Sequence, residues 1–293
     1  MSVSRLPTYF LSHGAGPWPF MAGAFRRQFA TLEQGLIATG RELAHANAIL
    51  MVSAHWETDG FAISSSAQPG MIYDYTGFPE DTYRIHYKAP GSPPLADRVH
   101  HLLQAGSIAN CRLDPERGYD HGTFSIMKVM RPLADKPIVQ LSLDRRFDPQ
   151  LHFDIGRLLS PLRDEGIAII GSGQSFQNLA LRDARAMQPS KDFDAWLQHT
   201  LVDASAGDRR DRLLQWKSAP YARLAHAREE HLIPLMVAAG AAGDDVGECI
   251  YWEQLGGFMT AASFRFGPPP LAIGDRSDSA INTTLSPSTI PQK

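Results

Sequence analysis

Residues 48–56 read AILMVSAHW, and residues 166–178 read GIAIIGSGQSFQN. Each is a short apolar run that stops in polar residues, the pattern of a strand buried within a sheet. YFLSH at 9–13 is a third such run. The strands expected are Thr8–Leu11, Ala48–Ser53, Ile138–Leu143 and Ile167–Ile170. Amphipathic stretches lie between or after them: Ala22–Ile37, Pro94–Ala105, Leu151–Leu162, Phe193–Lys217 and roughly Arg228–Ala239. Strands alternating with helical patterns define an α/β fold: one domain, a mostly parallel central sheet and helices on both faces. In open sheets of this kind ligands bind outside the carboxyl ends of the strands.

Composition narrows the function. The 293 residues carry 28 Lys plus Arg and 31 Asp plus Glu, so the net charge of −3 gives no basic footprint for nucleic acid or anionic lipid. No apolar run approaches the ~20 residues of a membrane helix. The opening MSVSRLPT lacks the apolar run of a signal peptide. Cys111 and Cys249 are the two cysteines, too few for a disulfide framework or a cysteine metal site, and a cytoplasmic setting is expected. Residues 1–267 are expected to form the domain. Residues 268–293, rich in Pro, Ser and Thr, are expected to form a tail without a core.

The strand ends hold the candidate site. His13 follows the first strand, His55 the second, and the fourth runs into a Gly-rich turn with Ser172, Gln174 and Gln177. One such histidine reads as a strand cap; two beside a Gly-rich turn mark a site. His231 lies in AHAREEHLIPLMVAAGAAG (225–243), where Pro234 must stand near a helix start or kink the helix. A straight helix would turn His226 and His231 about 140° apart, so both cannot face one ion. His231 alone could face the pocket, or pair with Glu230 or Glu57 on a helix surface. His121, in YDHGT, could carry a proton or cap the helix Thr123–Met130. Trp18, Tyr73, Tyr75 and Phe78 would make an aromatic-lined mouth suited to a phenolic ring. GSGQS has the wrong spacing for a nucleophile elbow, and Phe176 leaves a dinucleotide fingerprint incomplete.

Eight segments in order then carry a resemblance: LSHGAGPW (11–18), SAHWET (53–58), YDYTGFPEDTY (73–83), YKAPGSP (87–93), DHGTFSIMKVMRPLADKPIVQLSL (120–143), GSGQSFQNL (171–179), the 225–243 segment and SFRF (263–266). The chain resembles the class III extradiol ring-cleavage dioxygenases of the 4,5-DOPA dioxygenase type. The resemblance implies a non-haem enzyme that inserts both atoms of O2 into a catechol-type ring and yields a ring-opened semialdehyde. It implies His13, His55 and His231 as metal ligands and His121 as a residue near the substrate. Fe(II) is the implied metal for activity. Zn(II), which also suits three histidines with an open position, is a candidate for the isolated protein.

One position departs from the pattern. The family turn continues to a His before Asn-Leu; here Gln177 precedes Asn178 and Leu179. Gln hydrogen-bonds but carries no proton at neutral pH. His121 is therefore assigned the proton work, with Gln177 as a hydrogen-bond donor and Ser172 and Ser175 orienting the ring. Two alternatives stay open on Gln177: a metal-dependent hydrolase or isomerase, and a non-catalytic phenol-binding protein.

Overall fold

A computed structural model describes residues 5–181 and 183–269; the expected tail lies, from residue 270, outside the described residues. The strands are β1 (Thr8–Ser12), β2 (Ala48–Thr58), β3 (Phe61–Ser64), β4 (Cys111–Asp114), β5 (Ile138–Asp144), β6 (Ile167–Gly173), β7 (Gly247–Leu255) and β8 (Met259–Phe266). The α-helices are α1 (Gly23–Arg27), α2 (Ala30–Glu42), α3 (Pro93–Ala105), α4 (His121–Met130), α5 (Pro149–Leu159), α6 (Met187–Gln198), α7 (Ala206–Leu214), α8 (Ala222–Ala225) and α9 (Ile233–Ala242). All eight strands join one sheet in the order β4-β3-β5-β2-β6-β1-β8-β7. Its centre, β5-β2-β6-β1, is parallel, as the apolar runs require. Antiparallel pairing enters where β3 meets β5 and where β8 meets β1 and β7.

Side chains alternate across the sheet and build a core on each face. Phe10, Leu50 and Val52 pack with Val99 of α3, Phe153 of α5, Phe193 of α6 and Val237 of α9. Tyr9, Leu11, Ile49 and Met51 pack on the other face with Leu32 and Leu36 of α2 and Phe124 and Met127 of α4. Every residue of α9 is buried, so this helix has no polar face to show to water.

Four expectations change. Ala22–Ile37 is two helices, because Phe29 turns inward onto Trp18, ring centroids 5.1 Å apart. Phe193–Lys217 is interrupted after Gln198 by a π-turn at His199–Asp203, and Ser205 then caps α7 by accepting from the Asp208 N–H at 3.1 Å. The 228–239 helix begins only at Ile233, with Pro234 in its first turn, where the missing N–H is harmless. His231 therefore lies in the turn before α9. β2 also runs past Ser53 to Thr58, so His55 lies within the strand. Val52 pairs with Leu141 and Glu57 with Leu143, so five steps along β2 match two along β5. His55 sits in that irregularity, which frees its side chain from the regular up-and-down alternation.

Candidate active site

Four histidines meet at the carboxyl ends of β1, β2 and β6. The His13, His55 and His231 rings form a near-equilateral triangle with centroids 4.9, 5.2 and 5.0 Å apart. His121, the first residue of α4, stands beside them, 3.9 Å from the His55 ring and 5.4 Å from His13. Ring nitrogens of His13, His55 and His121 lie within 4.8 Å of one another.

Each ring is held by its Nδ1. Ser172 Oγ donates to the Gly122 carbonyl at 2.5 Å, which uses its only proton. Its contact with His13 Nδ1 at 3.1 Å must then be donated by the imidazole. His55 and His121 both point Nδ1 at Asp74 Oδ2, at 3.2 and 2.9 Å. His231 Nδ1 donates to Glu230 Oε1 at 3.0 Å. A carboxylate only accepts, so the hydrogen bonds assign the proton to Nδ1 in His13, His121 and His231 and leave their Nε2 lone pairs bare. The His55 Nδ1 faces Asp74, and its Nε2 faces that of His13.

The His13 and His55 Nε2 atoms are 3.2 Å apart. Nitrogens sharing one ion at about 2.0–2.1 Å from each lie about 3 Å apart, so the donor set fits a transition metal. Burial, reinforced by mutual repulsion among the four histidines, pushes His13 well below the ordinary imidazole range. Burial and the neighbouring His121 and His231 do the same to His55. Both are neutral, as ligands must be. Burial pushes the Asp74 carboxyl up, but the hydrogen bonds from the His121 ring and backbone, with the charges of His121 and His55, outweigh it and hold it at about 2.

The surroundings explain the glycines. Gly14 has φ +77° and a Cβ there would sit 2.5 Å from Trp18 Nε1. A Cβ on Gly173 would lie 2.1 Å from the His231 carbonyl oxygen, so the end of β6 must be bare for the 231 turn to close on it. Gln174 N–H donates to that same carbonyl at 3.0 Å. Asp120 caps α4 through the Thr123 N–H at 3.1 Å and accepts from Ser53 and Arg117 at 2.7 and 2.6 Å. Arg117 also donates to the His55 carbonyl at 3.2 Å and lies 4.8 Å from the Trp56 ring.

The other expected residues fall in different places. Trp18 is fully buried, with Nε1–H donated to the His13 carbonyl at 2.9 Å, so it braces the His13 turn instead of lining a mouth. Ser172 likewise stands behind His13. Tyr75 packs 6.0 Å from the His121 ring and 5.3 Å from Phe78, and its hydroxyl is tied to the Thr82 carbonyl at 2.5 Å. Gln177 is half-buried, its backbone forming an isolated bridge with His226 at the end of α8 and its N–H donated to Ala225 O at 2.9 Å. His226 is fully buried, donates Nε2–H to the Ser175 carbonyl at 3.1 Å, and is held by burial at about 3. It braces the turn and does not join the ring of four. Asp74 was not singled out from sequence; an acid between two tyrosines of the aromatic loop was its only signal.

Comparison with known proteins fits this geometry. Residues 7–266 match the family model described as the catalytic LigB subunit of aromatic ring-opening dioxygenase. The 4,5-DOPA dioxygenase extradiol of Portulaca grandiflora is 38% identical over 283 residues, covering 90% of this chain and 97% of that protein. The protein of that name from Beta vulgaris is 36% identical, with 88% and 96% covered. The crystal structure of an uncharacterized Escherichia coli K12 protein superposes with a TM-score of 0.73 at 29% identity, covering 90% of this chain and all of that one. The chain belongs to the family of aromatic ring-opening dioxygenases with a LigB-type catalytic subunit. It is an enzyme, an extradiol ring-cleaving dioxygenase of class III that works on an aromatic substrate and O2. Among the described residues no helix is long and apolar enough to cross a membrane.

Proposed function

We propose that the enzyme opens a catechol-type ring to a semialdehyde with a metal held by His13, His55 and His231. The observation that carries the reading is the pair of facing Nε2 atoms of His13 and His55, 3.2 Å apart, with the His231 ring almost equidistant from both. His121 leans against the side of the His55 ring, which favours a role toward substrate over a place among the ligands. Fe(II) bound there would supply open coordination positions for a catecholate and O2 together, and a route for electrons from the ring to oxygen. Zn(II) suits the same donors and generally binds more tightly, so the isolated protein is expected to carry zinc without redox activity.

The chain's own residues do the rest. Three neutral imidazoles leave the ion's charge intact and so favour an anionic catecholate; Asp74 and Glu230 provide counter-charge one bond further out. His121 Nδ1 is fixed on Asp74, so its Nε2 is the atom free to take a proton from a substrate hydroxyl and return it. Gln177 contributes a hydrogen bond but no proton. Tyr75 and Phe78 pack beside His121 and offer aromatic faces to the substrate ring.

Turnover of a catechol under ¹⁸O₂ tests the reaction. Two labelled atoms in the ring-opened product are expected. One label from O2 and one from water throughout, with exchange at the aldehyde controlled, would contradict double insertion.

A further inference from the structure

We infer that Asp74 is the positioning residue through which one carboxylate sets both the metal ligand His55 and the proton carrier His121. The inference deepens the proposed function and rests on its assignment of those two histidines. Asp74 Oδ2 accepts the His121 Nδ1–H at 2.9 Å and lies 3.2 Å from His55 Nδ1, and Oδ1 accepts the His121 backbone N–H at 2.9 Å. One side chain thus fixes the His121 ring and the start of α4 and sets its charge against the His55 ring. The rest of His55 is already anchored: its N–H meets Ser53 Oγ at 3.2 Å and its carbonyl accepts from Arg117 at 3.2 Å. Only the ring torsions remain, with Nε2 turned to His13 and the Asp74 carboxylate 3.2 Å from Nδ1 as the charged group that draws the ring the other way.

The carboxylate comes from neither β2 nor α4. It comes from the aromatic loop, between Tyr73 and Tyr75, and Tyr75 packs on the His121 ring it orients. Tyr73 and Tyr75 are themselves pinned, their hydroxyls donating to the Ile85 and Thr82 carbonyls at 2.7 and 2.5 Å. The loop that presents aromatic faces to a substrate therefore also presents the acid that aims a ligand and a proton carrier. An amide in place of the carboxylate retains one oxygen, so it cannot accept from both the His121 ring and the His121 backbone, and it carries no charge toward the His55 ring.

The test compares the wild type with Asp74→Asn, Asp74→Glu and His121→Ala. Zn(II) affinity is read by competition with a chromophoric chelator, and the pH profile of kcat/KM by oxygen uptake after Fe(II) loading. Asp74→Asn is expected to weaken Zn(II) binding roughly 10–100-fold, the usual effect of removing a carboxylate behind a ligating histidine, and to displace or flatten the pH profile. Asp74→Glu should restore part of both. His121→Ala should lose turnover while holding Zn(II) within a few-fold of wild type, which separates the two arms. Wild-type Zn(II) affinity and pH profile in a folded Asp74→Asn protein would overturn the inference, and a change in only one of the two readouts would overturn the sharing. Should Asp74→Asn fail to fold, Asp74→Glu decides alone on the same readouts. No Zn(II) binding by the wild type would overturn the metal-site reading itself, and this inference with it.

Discussion

His13 and His55 face each other with Nε2 atoms 3.2 Å apart. On the far side the His13 Nδ1–H is given to Ser172, and the His55 Nδ1 lies 3.2 Å from the Asp74 carboxylate. A cation taken up between the two Nε2 atoms would hold both lone pairs at once. Adding Zn(II) at 100 times its Kd should therefore raise stability by about 2.7 kcal/mol. His13→Ala should abolish that gain. Equal unfolding midpoints with and without zinc would contradict it.

Ser172 decides the tautomer of His13, because its own proton is given to Gly122. Ser172→Ala removes the acceptor for His13 Nδ1–H and should weaken metal binding roughly 10–100-fold, with little change in substrate KM once metal is saturating. A selective rise in KM would instead place Ser172 at the substrate.

The metal-free protein should be acid-sensitive. Burial holds His152 at about 4 and His226 at about 3. Burial also holds His13 and His55 well below their ordinary value. On unfolding all four return to about 6.5, so below that pH the unfolded chain binds more protons than the native one. Their contribution is whole above about pH 6.5 and is lost as pH falls toward about 4, at about 1.4 kcal/mol per pH unit for each. Urea midpoints that stay level between pH 7 and 5 in chelator-treated protein would refute this.

Gly173→Ala should destabilise by about 1–3 kcal/mol or more, since overpacking against backbone finds no easy relief. The clash is with the His231 carbonyl, 2.1 Å from the added Cβ. Metal affinity should fall as well, because the turn that carries His231 is displaced. Loss of stability without loss of metal binding would argue that His231 is not a ligand.

Much of this was legible in the sequence because β1, β2, β5 and β6 are buried on both faces and are written as largely apolar runs, broken in β5 only by Gln140 and Ser142 before its end. β7 was not, since its exposed face interrupts the run with Glu248, Trp252 and Gln254. β3 and β4 are four residues each, too short to carry a period. His13 and His121 fell where the runs and helix signals placed them. His55 did not: a strand irregularity depends on pairing with β5, which no local pattern encodes. The proper start of α9 was written in Pro234, whereas the amphipathic reading ran it back through His231. Asp74 escaped because its importance lies in two partners 19 and 47 residues away.

Gln177 makes the proton route the point on which the mechanism turns. The most direct measurement is oxygen uptake by the Fe(II)-loaded protein across a panel of catechols, with His121→Ala and Gln177→His alongside. The wild type should consume one O2 per catechol and form a ring-opened product absorbing in the visible. His121→Ala should lose roughly 10²–10⁴-fold in rate, and Gln177→His should remain active. A silent wild type that gains uptake only in Gln177→His, or full activity in His121→Ala, would contradict the assignment of the proton to His121.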